Sequence, residues 1–412
     1  MAAIYPFRAL RPPRERVEQV ASVPYDVVNT EEARRIAAPN PLSFLHVTRP
    51  EIDMPEGVDI YSDAVYAKAV ENFQKLERDC PLERDDDATL YLYRLTMGEH
   101  TQTGLFACFS VDEYDRDLIR KHEKTRPDKE NDRTRHIVET RAQTGVVFLT
   151  YRPDRRIDAL VEAETKGEPL YDFTAEDGVR HTVWRAPAPE QLMRCFAEVP
   201  ALYIADGHHR AASASRARAA LRDENSNHTG DEEYNRFAAV AFPADQMQIL
   251  PYHRVVRDLH NRTSEEFMDD VRGRFHLTDD ANPRGPGKPG HWHMYFDGRW
   301  YGLTLKRDIA DTQRLDDPTT TLDVSLLQDN LLAPVLGVAD PRTDKRIDFV
   351  GGIRGTRELE RLVNEGRAAV AFALYPTSIE DLLTVSDAGG VMPPKSTWFE
   401  PKLRDGILIH TI

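Results

Sequence analysis

Cysteine is scarce in this chain, with Cys80, Cys108 and Cys195 the three present in 412 residues. An odd, widely spaced set supports neither a disulfide framework nor a zinc cluster, so the three are expected to pack as small hydrophobes in a reducing compartment. Long apolar runs are missing as well. No stretch approaches the ~20 residues of a membrane span, and Met1–Pro13 carry no apolar signal region; both point to a cytoplasmic protein with no membrane partner. Basic charge is in deficit: 54 Lys and Arg face 69 Asp and Glu, a net charge of -15. That argues against a nucleic-acid partner, because affinity for the phosphate backbone rests on a basic surface, and no basic helix-turn-helix is evident. Gly-x-Ser-x-Gly, His-Glu-x-x-His and Cys-x-x-Cys are all absent, which removes support for the common hydrolase, zinc-protease and thiol-redox mechanisms. Nothing asks for haem, flavin or structural zinc.

What remains is an ordinary composition, 40% hydrophobic and 30% charged, on a chain longer than one core usually organises. Strand-like and helix-like segments interleave throughout, so the fold class is α/β, or α+β with mixed sheets. Three parts are expected: 1–111, 112–281 and 291–412, the last two joined by the proline- and glycine-rich stretch Asn282–Gly290. Apolar spacing predicts a helix over Asp59–Asp79, and Thr89–Met97 with Thr103–Val111 reads as a hairpin. Ser43–Val47 and Ile249–Val256 read as strands. The charged run Tyr114–Arg141 reads as a solvated helical face, and Met392–Lys402 as irregular.

The chemistry concentrates in Ala201-Leu202-Tyr203-Ile204-Ala205-Asp206-Gly207-His208-His209-Arg210. A short buried strand enters from Pro200, and Ala211–Leu221 favours a helix, so Asp206-Gly207 marks a tight strand-to-helix turn. The first turn of a helix leaves backbone N–H groups unpaired and carries partial positive charge, to which Arg210 and the histidines can add. Gly207 allows unusual backbone angles and close ligand approach. Metal ligation by His208 and His209 fits poorly, since helical neighbours point about 100° apart whereas a metal pair shares a face at a spacing of three or four. A phosphate cradle, flanked by side chains and floored by amides, suits the pattern better. The plainer alternative is that Asp206 caps the helix and the histidines are surface residues.

A second candidate is His122-Glu123-Lys124-Thr125, where a glutamate among cations can serve as general base or magnesium ligand. Gly351-Gly352-Ile353-Arg354-Gly355 follows a strand like a phosphate-binding turn but matches neither of the common patterns. Lys395, Ser396 and Thr397 combine a cation with two hydroxyls, a mixture that suits phosphate or carboxylate and equally suits turns and caps. Tyr25, Asp26, Arg49, His253 and Arg254 are further polar residues in apolar surroundings.

Five stretches together resemble a large bacterial and archaeal family known as a domain of unknown function. They are Val23-Pro24-Tyr25-Asp26-Val27-Val28, Leu45 to Glu51, His122 to Thr125, Ala205 to Arg210, and Met392 to Lys402. The central part of that family is similar to the free serine kinases, of ParB/sulfiredoxin-like fold, which share an Asp-Gly-His-His-Arg turn and a His-Glu pair. The resemblance implies a ParB/sulfiredoxin-like core with added N-terminal and C-terminal α/β parts. It implies phosphate or nucleotide binding by Asp206, Gly207, His208, His209 and Arg210, and a catalytic base at Glu123 beside His122. Here the two motifs stand further apart than in the kinases. Implied partners are a nucleotide (ADP or ATP) and free serine or phosphoserine; phosphoryl transfer itself calls for Mg2+, and residue type alone makes Arg49, Arg254, Lys395, Ser396 and Thr397 candidate substrate contacts. Metal ligands and oligomeric state stay open. A phosphoserine phosphatase-like hydrolase and a non-catalytic nucleotide-binding regulator are the alternatives.

Overall fold

The computed structural model describes residues 2–307 and 317–412. The chain forms two compact units, one of Met1–Met247 with Pro401–Ile412, the other of Gln248–Glu400. Both mix helices and strands, the α/β class expected.

The first unit is built on a nine-stranded sheet. Its order is Ile119–Arg120, Leu202–Asp206, Val147–Tyr151, Arg236–Pro243, His100–Ser110, Tyr91–Met97, Arg180–Arg185, Tyr171–Thr174, with Ile4–Tyr5 also paired to His100–Ser110. Strands from both sides of residue 111 therefore share one sheet. Two pairings are parallel, Ile119–Arg120 with Leu202–Asp206 and Val147–Tyr151 with Arg236–Pro243, and the others are antiparallel. Apolar residues such as Leu105, Leu149, Leu202, Ile204 and Phe237 form its core. The helix His208–Glu224 lies on this core through Ala211 and Ala214, small side chains that bring its backbone close.

The second unit is a six-stranded antiparallel sheet in the order Phe275–Asp279, Arg299–Leu305, His291–Phe296, Val370–Leu374, Tyr252–Val256, Ile347–Gly351. Helices Ser264–Arg274, Gly355–Asn364 and Ile379–Asp387 accompany it. The first and last begin at capping boxes, Thr263 with Glu266 and Ser378 with Asp381. Asn282–Gly290 connects two strands of this one sheet. No helix among the described residues is long and apolar enough to cross a membrane.

Three local readings change. Ser43–Val47, expected as a strand, gives way to a single helical turn, Leu45–Thr48; Phe44, Leu45 and Val47 are all buried, and so short an apolar run has no decisive period. Trp398–Glu400, expected to be irregular, is a strand paired with Gln248–Leu250. The charged run is not a solvated face. Its helix Pro127–Thr140 buries Asp132 and His136, because the charges are matched individually: Tyr66 donates to Asp132 at 2.9 Å, and Arg133 pairs with Asp132 at 2.8 Å while lying 4.3 Å from the Tyr25 ring centre.

Candidate functional site

The two conspicuous motifs meet because of strand order. Ile119–Arg120 runs parallel to Leu202–Asp206, with Leu202 opposite Ile119 and Tyr203 opposite Arg120. Both chains thus leave the sheet at the same end, one into His122–Arg126 and the other into the helix His208–Glu224. Crevices at the carboxyl ends of adjacent parallel strands are where α/β sheets commonly bind ligands. The second motif closes over the first: the His122 N–H donates to His208 Nε2 at 3.4 Å, and the Arg126 N–H donates to His209 Nε2 at 3.0 Å. The His122 and His208 rings meet edge to face with centres 4.4 Å apart. Glu123, exposed, brings Oε2 to 3.7 Å from His208 Nδ1.

These contacts fix the histidine tautomers. Burial pushes His122 down to about 4, and burial followed by the neighbouring His122 pushes His208 well below its ordinary value; burial also lowers His209. A neutral ring whose Nε2 accepts a backbone N–H carries its proton on Nδ1. In His208 that Nδ1–H faces the Glu123 carboxylate. The histidines therefore hold and orient, and do not supply the positive charge that the sequence reading gave them.

Gly207, not Asp206, is the N-cap of the helix, at φ 94° and with no side-chain cap bond. Asp206 instead pairs with Lys402, whose Nζ is 2.8 Å from its Oδ2. Burial works to raise this carboxyl, but Lys402 and Arg210 outweigh it and hold it far below the carboxylate range. Arg210, expected among the phosphate-binding groups, turns inward beneath the turn. Its Nη1 donates to the Val146 carbonyl at 2.6 Å and its Nη2 lies 2.7 Å from both Asp26 oxygens. A Cβ on Gly207 would stand 3.3 Å from Arg210, and one on Gly145 3.2 Å, so both glycines make room for it. Beside this guanidinium are Tyr25, whose ring centre is 5.8 Å away, and a cavity of about 20 Å³ lined also by Arg133, His136 and Thr144. Asp405, fully buried and accepting the Val146 N–H at 3.2 Å, is pushed by burial up to about 7 against the pull of Arg210.

Arg49 is tied into the same N-terminal region: Nη1 reaches the Tyr25 carbonyl at 3.3 Å, Nη2 reaches Thr30 at 2.8 Å, and Nε is 2.9 Å from Glu51. Lys395, Ser396, Thr397 and Arg254 belong to the second unit. There Ser396 Oγ donates to the Pro393 carbonyl at 2.6 Å, and Thr397 is half-buried just before the strand Trp398–Glu400. Lys402 and Asp405 join the site without having stood among its candidates. Lys402 ends the stretch Met392 to Lys402, a signal visible in the sequence; Asp405 has none, since its role depends on burial next to Val146. Asp26 was noted, without its link to Arg210.

Two outcomes follow from this geometry. Gly207→Ala places a Cβ at positive φ against Arg210 and is expected to cost about 1–2 kcal/mol, read as a lower urea midpoint. Acid is expected to destabilise the first unit. His122, His136 and His208 have folded-state values below the unfolded 6.5, so their full contribution holds above pH 6.5 and is lost as pH falls toward 4, where the unfolded chain takes up protons that the folded chain refuses. By pH 5 the loss is about 2 kcal/mol per histidine, offset in part by protonation of Asp405. A melting temperature that stays flat from pH 6.5 to 4.5 contradicts this.

Among described residues no group of three or more His, Cys, Asp or Glu is arranged to hold a metal.

The model of a family described as Protein of unknown function (DUF1015) matches residues 4–325. Among curated proteins none matches the chain. Solved structures that resemble it include a free serine kinase in complex with AMP, at 12% identity and a TM-score of 0.34, covering 72% of this chain and 86% of that one. A second is SbnI with a C-terminal truncation from Staphylococcus aureus, at 13% identity and a TM-score of 0.38, covering 73% and 85%. A third is a conserved hypothetical protein from Pyrococcus furiosus, at 11% identity and a TM-score of 0.33, covering 73% and 93%.

Proposed function

The chain belongs to the DUF1015 family, and we propose that it transfers a phosphoryl group between a nucleotide, ADP or ATP, and the hydroxyl of free serine, in either direction. The observation that carries this reading is the approach of Glu123 Oε2 to 3.7 Å from His208 Nδ1 at the mouth of the turn. A carboxylate and a helix N-terminus at the ends of two parallel strands are what phosphoryl transfer asks of a protein, chiefly positioning and charge neutralisation.

In the synthetic direction, the transferring phosphate rests on the N–H groups of the first turn of the helix at His208, His209 and Arg210. The serine Oγ attacks phosphorus, the bond from phosphorus to the nucleotide oxygen breaks, and the serine proton passes to the Glu123 carboxylate. His208 is a positioning residue whose Nδ1–H orients that carboxylate. Asp26, Lys402 and Arg210 keep the turn in shape: Arg210 braces it from beneath and Lys402 fixes Asp206. Magnesium bound to the nucleotide would supply neutralisation of the phosphate charge.

The test is exchange of phosphate between ADP or ATP and serine or phosphoserine in the presence of magnesium, followed by phosphorus NMR. No exchange under any of these pairings overturns the proposal. Phosphate released from phosphoserine without nucleotide favours the hydrolase alternative. Nucleotide binding by calorimetry without any product favours the regulator.

A further inference from the structure

A buried cation with no anion beside it stands out in the second unit. Arg254 lies on the strand Tyr252–Val256, opposite Phe349, and is 4% exposed. Its guanidinium bonds to the carbonyls of Tyr252 and Pro394 and lies 5.2 Å from the Phe349 ring centre. Among the described residues it forms no ion pair with a carboxylate. Burial lowers its pKa to about 10, opposed by Tyr252 alone. Taking a cation out of water without a counter-ion is expensive, and carbonyl oxygens do not neutralise it.

A second cation converges on the same place. Lys395 holds its Nζ 5.7 Å from the Tyr252 ring centre, and the residue before it, Pro394, supplies one of the acceptors of Arg254. Lys395 sits at φ 57°, a left-handed conformation that costs a residue with a Cβ about 1 kcal/mol. The loop is pinned there: Ser396 Oγ donates to the Pro393 carbonyl, and Thr377 Oγ1 donates to the Ser396 carbonyl at 3.0 Å. Trp398 closes the side of Tyr252, ring centres 5.2 Å apart, and its indole occupies the space a Cβ on Gly351 would need. Lys395 itself is exposed, so the cluster opens to solvent on its side.

We propose that Arg254 and Lys395, framed by Tyr252 and Trp398, form a binding site for the oxyanion group, phosphate or carboxylate, of a small ligand. Arg254 offers a planar fork of donors suited to two oxygens, and Lys395 a mobile point charge at the entrance. The site lies wholly within the second unit and does not depend on the role of the Asp206–Arg210 turn.

The experiment is calorimetric titration of the full chain with inorganic phosphate, without nucleotide. Wild type is expected to bind two equivalents, one in each unit, and Lys395→Ala and Arg254→Met one. Should the turn bind no phosphate, wild type binds one and both variants none, so failure of the proposed function is separable from failure of this site. Lys395 is exposed, so Lys395→Ala preserves the fold even where Arg254→Met does not, and circular dichroism checks both. Equal stoichiometry and affinity in wild type and folded Lys395→Ala, or no phosphate bound by wild type, overturns the site. Acetate then distinguishes the sources: competition for the equivalent lost in Lys395→Ala identifies a carboxylate-accepting site, and its absence a phosphate-selective one.

Discussion

Glu123→Gln is expected to lower kcat for phosphate exchange by about 10²- to 10⁴-fold, the usual worth of a positioned general base, while nucleotide affinity stays within about twofold. The substitution keeps the shape of the side chain, so an oxygen still faces His208 Nδ1 at the 3.7 Å of the native contact; only the capacity to take a proton is lost. In the proposed reaction the carboxylate acts on the serine hydroxyl and not on the first-turn amides, so the effect is expected to fall on kcat and to spare nucleotide KM. Stability should hardly move, since Glu123 is exposed, with 54% of its side-chain surface accessible. A loss of under fivefold removes Glu123 from the reaction, whatever happens to nucleotide binding.

Asp26→Ala is expected to cost about 3 kcal/mol and to weaken phosphate binding at the turn. The ion pair it breaks is lopsided: the Arg210 side chain is 4% exposed and Asp26 35%, so the charge left behind is the buried one. Asp405 modulates the loss. In the intact protein Asp26 is among the influences that keep the Asp405 carboxyl high, and Arg210 pulls it down. Without Asp26 the Asp405 value falls, so the variant releases its proton earlier than wild type as pH rises and Asp405 becomes the counter-charge for Arg210. The cost of Asp26→Ala should therefore shrink between pH 5.5 and pH 8, in paired urea melts of variant and wild type. A cost that grows with pH assigns Arg210 to some other partner.

Much of this site was legible in the sequence, for reasons that differ by residue. Asp206-Gly207-His208 could be read as a strand-to-helix turn because a buried apolar run, a glycine and an alanine-rich helix are each local signals, and Gly207 does adopt the positive φ that a turn of this kind needs. Pairing of Glu123 with His208 could not be read from spacing, since it depends on Ile119–Arg120 lying against Leu202–Asp206, a contact between strands far apart in the chain. The neutrality of the histidines is hidden for the same reason: ionisation depends on burial, which lowers His122 and His208, and the pattern around them is polar enough to suggest solvent. Arg210 was assigned by its residue type, and the inward turn came from Asp26, 184 residues earlier. In the second unit the charge of Arg254 was visible, but the missing counter-charge was not, because absence of a neighbour is a property of the folded chain.

The return of Pro401–Ile412 to the first unit bears on the order in which the protein is made. A ribosome releases Asp206 and Arg210 long before Lys402 and Asp405, and during that interval Asp206 lacks the ammonium that holds it and Val146 lacks its carboxyl acceptor. The turn is therefore assembled in two instalments, separated by synthesis of the whole second unit. A nascent chain arrested before Pro401 would carry all five residues of the Asp206–Arg210 motif and still lack the lysine that fixes the first of them.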